Sequence, residues 1–167
     1  AVPLMLNIPG AKGKNVALAG EVLTGRKQVG DTVIVVGGGM VGCETAEFLV
    51  KQGKKVTVVE MLEEAGADMG VISKALIQDR IAQEGIGVET GARVEEITAT
   101  GVRATRGGKP VSFPGDSVVL AVGMKPVAGL AEQLKGKTAD VRAIGDCVKP
   151  QKIVEAIAEG NLAGREV

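Results

Sequence analysis

The chain has 167 residues, 45% of them hydrophobic and 24% charged, and its 20 basic and 20 acidic side chains give a net charge of zero. This length predicts one domain, or one domain with a piece of another. The balanced charge, without a basic run, predicts neither a nucleic-acid nor a membrane partner. The sequence contains no His, Trp or Tyr and two Cys. It therefore lacks the residues for a His-based triad, an iron–sulfur cluster or a structural zinc site, and we assign no catalytic residue and no metal ligand.

The N-terminal residues show no charged segment followed by an apolar run, so we expect no signal peptide. The longest apolar runs, among them Val33–Val36 and Val118–Val122, have the length of strands and not of membrane-spanning helices. We therefore expect a cytoplasmic location, where thiols stay reduced. The sequence starts at Ala1 and not at a Met, which predicts a processed product or a piece of a longer chain.

The first predicted elements are a connecting segment, a strand, a loop and a helix. Residues 1–30 contain several Gly and Pro with weak periodicity, which is typical of a connecting segment. Thr32–Val36 is a β-branched run, typical of a strand buried on both faces. The Gly-rich loop Gly37–Gly42 follows, and then a helical pattern to about Gln52 with Gly53 as its predicted C-cap.

A second strand, Lys55–Glu60, and a second helix, Val71–Glu84, come next. One apolar stripe is predicted on that helix: Ile72, Leu76, Ile77 and Ile81. Turn residues then separate three short strand-like runs, which predict an antiparallel meander: Arg93–Thr98, Val102–Thr105 and Lys109–Phe113. Ser117–Val122 is again typical of a strand buried on both faces.

The last predicted elements are a short strand, Val141–Ile144, which ends at a Gly-Asp pair, and a helix, Gln151–Gly164. Apolar residues are expected on one side of that helix, including Ile153 and Ile157. Strands that alternate with helices indicate a parallel sheet. The sequence therefore predicts an α/β fold: a Rossmann-like parallel sheet with flanking helices and an inserted antiparallel β-meander.

The predicted chemistry lies at the junction of the first strand and helix, where the loop has the spacing G-x-G-x-x-G. In this pattern Gly37 allows a tight turn, Gly39 lets a pyrophosphate approach the backbone, and Gly42 lets the helix pack close to the strand. The free N–H groups of Met40 and Val41 would then face the phosphates, where the helix dipole favours negative charge. A Gly-rich turn without any nucleotide is the competing interpretation.

The end of the second strand predicts which dinucleotide binds. Glu60 lies 18 residues after Gly42, close to the spacing at which an acid accepts hydrogen bonds from the adenosine ribose. A 2′-phosphate requires Arg or Lys at this place, whereas the sequence has Glu60, Met61, Glu63 and Glu64 in the same stretch. NADP(H) is therefore disfavoured, and NAD(H) or the adenosine of FAD stays open.

An extended signature, G-G-G-x-x-G-x-E-x-A, covers the loop and the start of the helix. It is carried by Gly37, Gly38, Gly39, Gly42, Glu44 and Ala46. With the strand, acid and loop that follow, it resembles the NADH-binding domain of flavoprotein oxidoreductases that contain two dinucleotide-binding folds. Within this pyridine nucleotide-disulfide oxidoreductase-like group, the chain is most similar to the NADH:flavin oxidoreductase/2,4-dienoyl-CoA reductase family, which is old yellow enzyme-like. The resemblance covers essentially the whole chain.

The resemblance implies an oxidoreductase in which NADH delivers hydride to FAD. It implies that Glu44 and Gly123 lie near the nicotinamide half of NADH. It also implies that Gly145 and Asp146 form part of the flavin site, with Asp146 at the ribityl hydroxyls, and it extends to the helix Lys152–Arg165.

Several parts of that family are missing from this sequence. An FAD-binding G-x-G-x-x-G unit normally precedes the NADH domain, and the FMN-bearing barrel and the cluster cysteines are absent as well. The resemblance therefore implies a C-terminal fragment, with residues 1–30 as a linker or remnant of the FAD domain, 31–125 as the NAD(H)-binding Rossmann domain and 126–167 as the return to the FAD domain. FAD, FMN and a 4Fe-4S cluster would belong to the parent enzyme, whose other domains would be partners. We expect the fragment alone not to be catalytically competent.

Several candidate residues also have plainer interpretations. An acid on the first turn of a helix, such as Glu44, favours the helix dipole without any ligand, and Asp146 is equally suited to a turn or cap. Cys43 and Cys147 are interpreted as small packing residues, and Met61 as packing or pocket lining. The loop acids are predicted to be solvated: Glu63, Glu64 and Asp68.

The sequence leaves two function classes open. The first is the nicotinamide-binding part of a flavin oxidoreductase, and the second is a nucleotide-binding module that holds FAD or NAD without redox turnover of its own. The order of the elements favours the first. A methyltransferase is less favoured, because Val36 occupies the strand end where such enzymes usually carry an acid.

Overall fold

The computed structural model describes residues 1–138 and 140–166. By its internal contacts the chain divides into two compact units. The larger unit is Met5–Val122, and the smaller combines Ala1–Leu4 with Gly123–Val167.

In chain order, the strands among the described residues are β1 (Val2–Pro3), β2 (Val16–Leu18), β3 (Thr32–Val36), β4 (Lys55–Val59), β5 (Gly87–Glu89), β6 (Ala92–Thr98), β7 (Gly101–Arg106), β8 (Lys109–Pro114), β9 (Ser117–Leu120) and β10 (Met124–Lys125). The helices of the same residues are α1 (Ala19–Leu23), α2 (Met40–Val50), α3 (Val71–Gln83), α4 (Gly129–Leu134) and α5 (Ile153–Arg165), and a 3-10 turn covers Gly145–Cys147.

Parallel strands form the central sheet of the larger unit, in the order β2-β9-β3-β4-β5. In its registers, Val33 pairs with Val56 of β4, and Ile34 pairs with Val118 of β9. The strands β6, β7 and β8 form an antiparallel meander, which the chain inserts between β5 and β9. The predicted α/β class is therefore confirmed: a Rossmann-like parallel sheet with flanking helices and an inserted antiparallel β-meander.

The sheet is the middle of three layers. Successive side chains of a strand point to opposite faces, so Val33 and Val35 of β3 pack in one cluster with α1, α2 and α3. Ile34 and Val36 pack on the other face, in a cluster with the meander. All four side chains are at most 6% exposed. A strand buried on both faces has no polar side to alternate with its apolar side, which explains its continuous β-branched sequence.

Residues 1–30 contain more regular structure than the predicted connecting segment. Strand β2 pairs with β9 through Val16 and Val118 and adds an edge to the parallel sheet. Strand β5, which pairs with β4 on the opposite edge, was not predicted either. Both strands have three residues, which is too short for an apolar period to show in the sequence.

The buried face of α3 is narrower than predicted. Ile77 and Ile81 are buried, whereas Ile72 is 78% and Leu76 57% exposed. With 3.6 residues per turn, Ile72 and Ile77 point about 140° apart around the helix axis. The predicted single stripe is therefore wrong, and Ile77 and Ile81 alone anchor this helix to the core.

In the smaller unit, β1 and β10 pair in antiparallel fashion, with Val2 opposite Lys125. The predicted strand Val141–Ile144 is not formed, so that prediction is wrong. An extended segment without a neighbouring strand gains no ladder hydrogen bonds. The Arg142 guanidinium instead donates to the backbone oxygen of Ala163 (3.2 Å) and bonds the Glu166 carboxylate (3.0 Å).

Helix α5 has an acidic side chain that contacts the preceding turn and apolar side chains that are exposed to solvent. The Glu159 carboxylate accepts hydrogen bonds from the Gly145 N–H (2.5 Å) and the Gln151 side chain (3.1 Å). Three apolar side chains that lie within about 100° of one another around the helix axis, the α5 apolar stripe, are between 66% and 78% exposed: Ile153, Val154 and Ile157. Among the described residues, no helix combines the length and the apolarity needed to cross a bilayer.

Candidate functional site

The Gly-rich loop joins β3 to α2 at the carboxyl edge of the parallel sheet. Gly37 has a φ of +103°, a conformation that side chains rarely adopt, and its N–H donates to the Val59 oxygen of the neighbouring strand (2.9 Å). A Cβ on Gly42 would lie 1.8 Å from the Gly37 oxygen. Helix α2 therefore starts in contact with the end of β3, as the spacing of the glycines predicts.

Glu60 directly follows β4 and is 7% exposed. Because β3 and β4 are parallel neighbours, their carboxyl ends meet at one edge, and the Glu60 side chain reaches the loop after β3. Its Oε2 accepts a hydrogen bond from the Gly38 N–H (2.5 Å), and its Oε1 accepts one from the Leu62 N–H (2.8 Å). The carboxylate thus ties the Gly-rich loop to the loop that follows β4.

These two hydrogen bonds give Glu60 a structural role, in addition to the predicted contact with the ribose. Each oxygen of an ionised carboxylate has two lone pairs, so each oxygen of Glu60 can accept a further hydrogen bond from a hydroxyl donor. The sequence pattern predicts the acid but not its backbone partners. An acid at a strand end does not reveal which amides lie within 3 Å of it.

Helix α2 begins at Met40, inside the G-x-G-x-x-G pattern and not after it. The first N–H groups of a helix have no intrahelical acceptor. The Met40 N–H donates to the Asp68 carboxylate, at 3.0 Å from Oδ1 and 3.3 Å from Oδ2. Asp68 is exposed, as predicted for a solvated loop acid, and it is also a capping residue, a role that the sequence does not predict. Nothing in the sequence signals the contact, because 28 residues separate its partners.

Cys43 lies on the buried side of α2. Cys43 is fully buried, and its S–H donates to the Gly38 oxygen (3.3 Å). Burial, and after it the Asp68, Glu60 and Glu44 carboxylates, raise the pKa of the Cys43 thiol to about 11. The thiolate is therefore scarce near neutral pH, and Cys43 is the packing residue that the sequence predicts.

The remaining candidates of the larger unit line the outside of this junction. Glu44 is exposed, but α2 begins at Met40, so Glu44 lies beyond the first turn of the helix and the predicted first-turn position is wrong. Val41 is 50% exposed and Met61 57% exposed. The structure thus brings one group of predicted site residues to a single edge of the sheet: Gly37, Gly38, Gly39, Met40, Val41, Gly42, Glu44, Glu60 and Met61.

The other three candidates belong to the smaller unit. Gly123 has a φ of +97°, and its oxygen accepts a hydrogen bond from the Leu4 N–H (3.0 Å). Gly145 has a φ of +65° and opens the 3-10 turn. The Asp146 Oδ1 accepts a hydrogen bond from the Gln151 N–H (3.2 Å) ahead of α5. Asp146 therefore bonds a backbone amide that precedes the N-cap of α5, and its contact with a flavin stays a prediction.

Comparisons with known proteins give matches over nearly the whole chain. The family model described as pyridine nucleotide-disulphide oxidoreductase matches residues 1–160. The chain is 40% identical to an NADH oxidase of Thermoanaerobacter brockii over 164 residues, which is 95% of this chain and 25% of that protein. It is 37% identical to a bilirubin reductase of Mediterraneibacter gnavus, over 93% of this chain and 24% of that protein.

A solved structure of 2-naphthoyl-CoA reductase superposes with a TM-score of 0.91 and 30% identity, over 99% of this chain and 25% of that one. The chain thus spans about a quarter of the length of the relatives it matches.

Proposed function

Because the chain belongs to the pyridine nucleotide-disulphide oxidoreductase family, we propose that it is the NAD(H)-binding portion of a pyridine-nucleotide:flavin oxidoreductase. In the parent enzyme it positions NADH so that the nicotinamide C4 gives a hydride to the flavin N5, which oxidises NADH and reduces FAD. The observation that carries the proposal is the hydrogen bond of 2.5 Å between the Gly38 N–H and the buried Glu60 carboxylate. It joins the predicted phosphate-binding loop and the predicted ribose-binding acid.

The residues of the junction fit a dinucleotide. Gly39 presents no side chain toward the start of α2, where the nearest neighbour of a Cβ would be the Asp68 carboxylate, at 3.3 Å. A diphosphate at this place would accept hydrogen bonds from the Met40 and Val41 N–H groups. The free lone pairs of Glu60 would accept the ribose hydroxyls, and Met61 would line the adenosine side.

The proposed roles at the other end of NADH rest on the resemblance. Glu44 is exposed near the start of α2, and we propose that it faces the nicotinamide half of NADH. The positive φ of Gly123 makes a side chain unfavourable there, which suits close approach of a ring. These residues would orient the nicotinamide and would not carry out the chemistry.

The smaller unit supplies a partial site for FAD in this proposal, through Gly145 and Asp146. The α5 apolar stripe supports the presence of further protein against this unit, since three exposed apolar side chains on one helix face are costly to leave in water. We propose that the rest of the parent flavoenzyme, which belongs to the NADH:flavin oxidoreductase/2,4-dienoyl-CoA reductase family, covers that face. FMN and a 4Fe-4S cluster would lie in those other domains, and the enzyme would act in the cytoplasm.

Calorimetric titration of the 167-residue chain with NADH, NADPH and FAD tests the binding proposal. We expect NADH to bind more tightly than NADPH, because the carboxylates after β4 repel a 2′-phosphate at a cost on the order of a few kcal/mol. Raising the salt concentration should narrow the difference in affinity between NADH and NADPH, because salt screens the repulsion from exposed carboxylates. Equal affinity for NADH and NADPH, or binding of FAD alone, would contradict the proposal.

A further inference from the structure

The segment 61–70 folds back over the Gly-rich loop. Ala65 is 6% exposed, and its Cβ lies 3.2 Å from the place where a Cβ on Gly38 would stand. The Gly66 N–H donates to the Gly38 oxygen (2.7 Å). This anchoring carries Asp68 to the start of α2.

The Asp68 carboxylate occupies the open side of Gly39. Its two oxygens lie 3.3 Å from the place where a Cβ of residue 39 would stand, and they accept the Met40 N–H at 3.0 Å and 3.3 Å. The first N–H groups of a helix and the positive end of its dipole attract one anion at this place. In the chain without nucleotide, that anion is a side chain of the same protein.

From this contact we infer that Asp68 competes with the diphosphate of NADH for the start of α2. A phosphate oxygen that accepts the Met40 N–H must come within about 3.2 Å of the nitrogen. The Asp68 oxygen already stands at 3.0 Å, so the two acceptors exclude each other. The inference rests on the proposed function, because it concerns the same site.

Displacement of the Asp68 carboxylate from Met40 concerns an exposed side chain on an anchored segment. Its side chain is exposed, whereas its neighbours Ala65 and Gly66 are buried. Rotation of the side chain into solvent would therefore free the Met40 N–H while the anchored part of the segment stays in place. The affinity for NADH is lowered by the hydrogen bond that must break and by the like charge that remains nearby.

The test compares Asp68→Asn and Asp68→Ala with a matched control, Glu63→Gln. Glu63 is an exposed acid of the same segment, so the control removes the same charge from the segment without removing the contact to Met40. We expect Asp68→Ala to bind NADH about fivefold more tightly than the unmodified chain, the size of a charge interaction at an exposed helix terminus. Asp68→Asn removes the charge but keeps an acceptor oxygen, so its gain in affinity should be smaller. The control should change the affinity less than twofold.

A second readout, made without nucleotide, separates this inference from the proposed function. The Met40 amide should exchange its hydrogen more slowly in the unmodified chain and in Glu63→Gln than in Asp68→Ala, because only the first two keep the acceptor. Equal exchange rates of the Met40 amide in these three chains would contradict the contact between Asp68 and Met40. If NADH binds the unmodified chain and the Asp68 variants bind no more tightly, the competition is wrong and the proposed function stands. If NADH binds none of them, both fall.

Discussion

Two backbone amides share the Glu60 carboxylate, and they come from loops that follow different strands. The Gly38 N–H belongs to the loop after β3 and the Leu62 N–H to the loop after β4. Hydrogen bonds to a charged acceptor contribute more than neutral ones, about 1.5–3 kcal/mol each. Glu60 therefore stabilises the site before any ligand arrives, and a change there affects both stability and binding.

Replacement of Glu60 by Ala should lower the free energy of unfolding by about 3 kcal/mol, because two amides lose a charged acceptor inside the protein. Glu60→Gln keeps one acceptor oxygen and should cost less. With the charge removed, Glu60→Gln should also narrow the difference in affinity between NADH and NADPH. Urea unfolding measures the free energy of unfolding, and calorimetry measures the affinities for NADH and NADPH.

The control for this prediction is Glu63→Ala, an exposed acid of the same segment, which should change the free energy of unfolding by less than about 0.5 kcal/mol. A Glu60→Ala chain as stable as the control would contradict the structural role of the carboxylate. An unchanged NADH/NADPH ratio in Glu60→Gln would contradict its role in selecting the dinucleotide.

At the scale of elements, the strength of the apolar pattern decided what could be predicted. The fully buried strands β3 and β9 and the meander carry long β-branched or regularly spaced runs, and all were predicted close to their bounds. The short edge strands β2 and β5 carry no such pattern. The segment Val141–Ile144 carries a strand-like pattern but pairs with no strand among the described residues.

The same contrast holds for the candidate site. A spacing along the chain was enough to predict Gly37, Gly42 and Glu60, because the G-x-G-x-x-G pattern and its following acid are local features. The contact of Asp68 with Met40 was not predictable in this way, since it depends on how the segment 61–70 folds back. The contacts of a side chain in a loop produce no regular spacing of residue types along the sequence.

The contact between α2 and β3 can be tested with one methyl group. A Cβ at position 42 would lie 1.8 Å from the Gly37 backbone oxygen, so Gly42→Ala must push the helix off the sheet. We expect a loss of about 4 kcal/mol in the free energy of unfolding, or no soluble protein. Thermal and urea unfolding measure the effect.

Gly160→Ala is the matched control, because position 160 lies inside α5 and its Cβ would meet only Ile144, at 4.0 Å. Ala is favoured over Gly in a helix interior, so this change should stabilise the chain by up to about 1 kcal/mol. A Gly42→Ala protein as stable as the unmodified chain would contradict the close packing.

At the scale of the whole molecule, the chain spans about a quarter of its relatives' length. The 167-residue chain should be purified without flavin and be colourless in the visible range, because in the proposed function Gly145 and Asp146 would hold only one side of a flavin. It should bind NADH without oxidising it at an enzymatic rate when a dye is the acceptor. Absorption spectra and a dye-reduction assay test both points.

Joining the flavin-binding portion of a parent enzyme to this chain should restore the yellow colour and the oxidation of NADH. Variants of the α5 apolar stripe, such as Ile157→Glu, should weaken this restoration if the added portion covers that face. Stoichiometric FAD in the 167-residue chain, together with dye reduction by NADH, would contradict the fragment interpretation.

The strand order β2-β9-β3 also bears on how the polypeptide is made. Strand β9 lies between β2 and β3, yet its residues are translated about a hundred positions after those of β2, as the pairing of Val16 with Val118 shows. Contacts so distant in sequence form slowly. During synthesis, the hydrogen-bonding edge of β3 that β9 will cover stays open until Leu120 has left the ribosome. A nascent chain arrested before that point presents this edge to other chains, and holding by a chaperone during elongation would protect it.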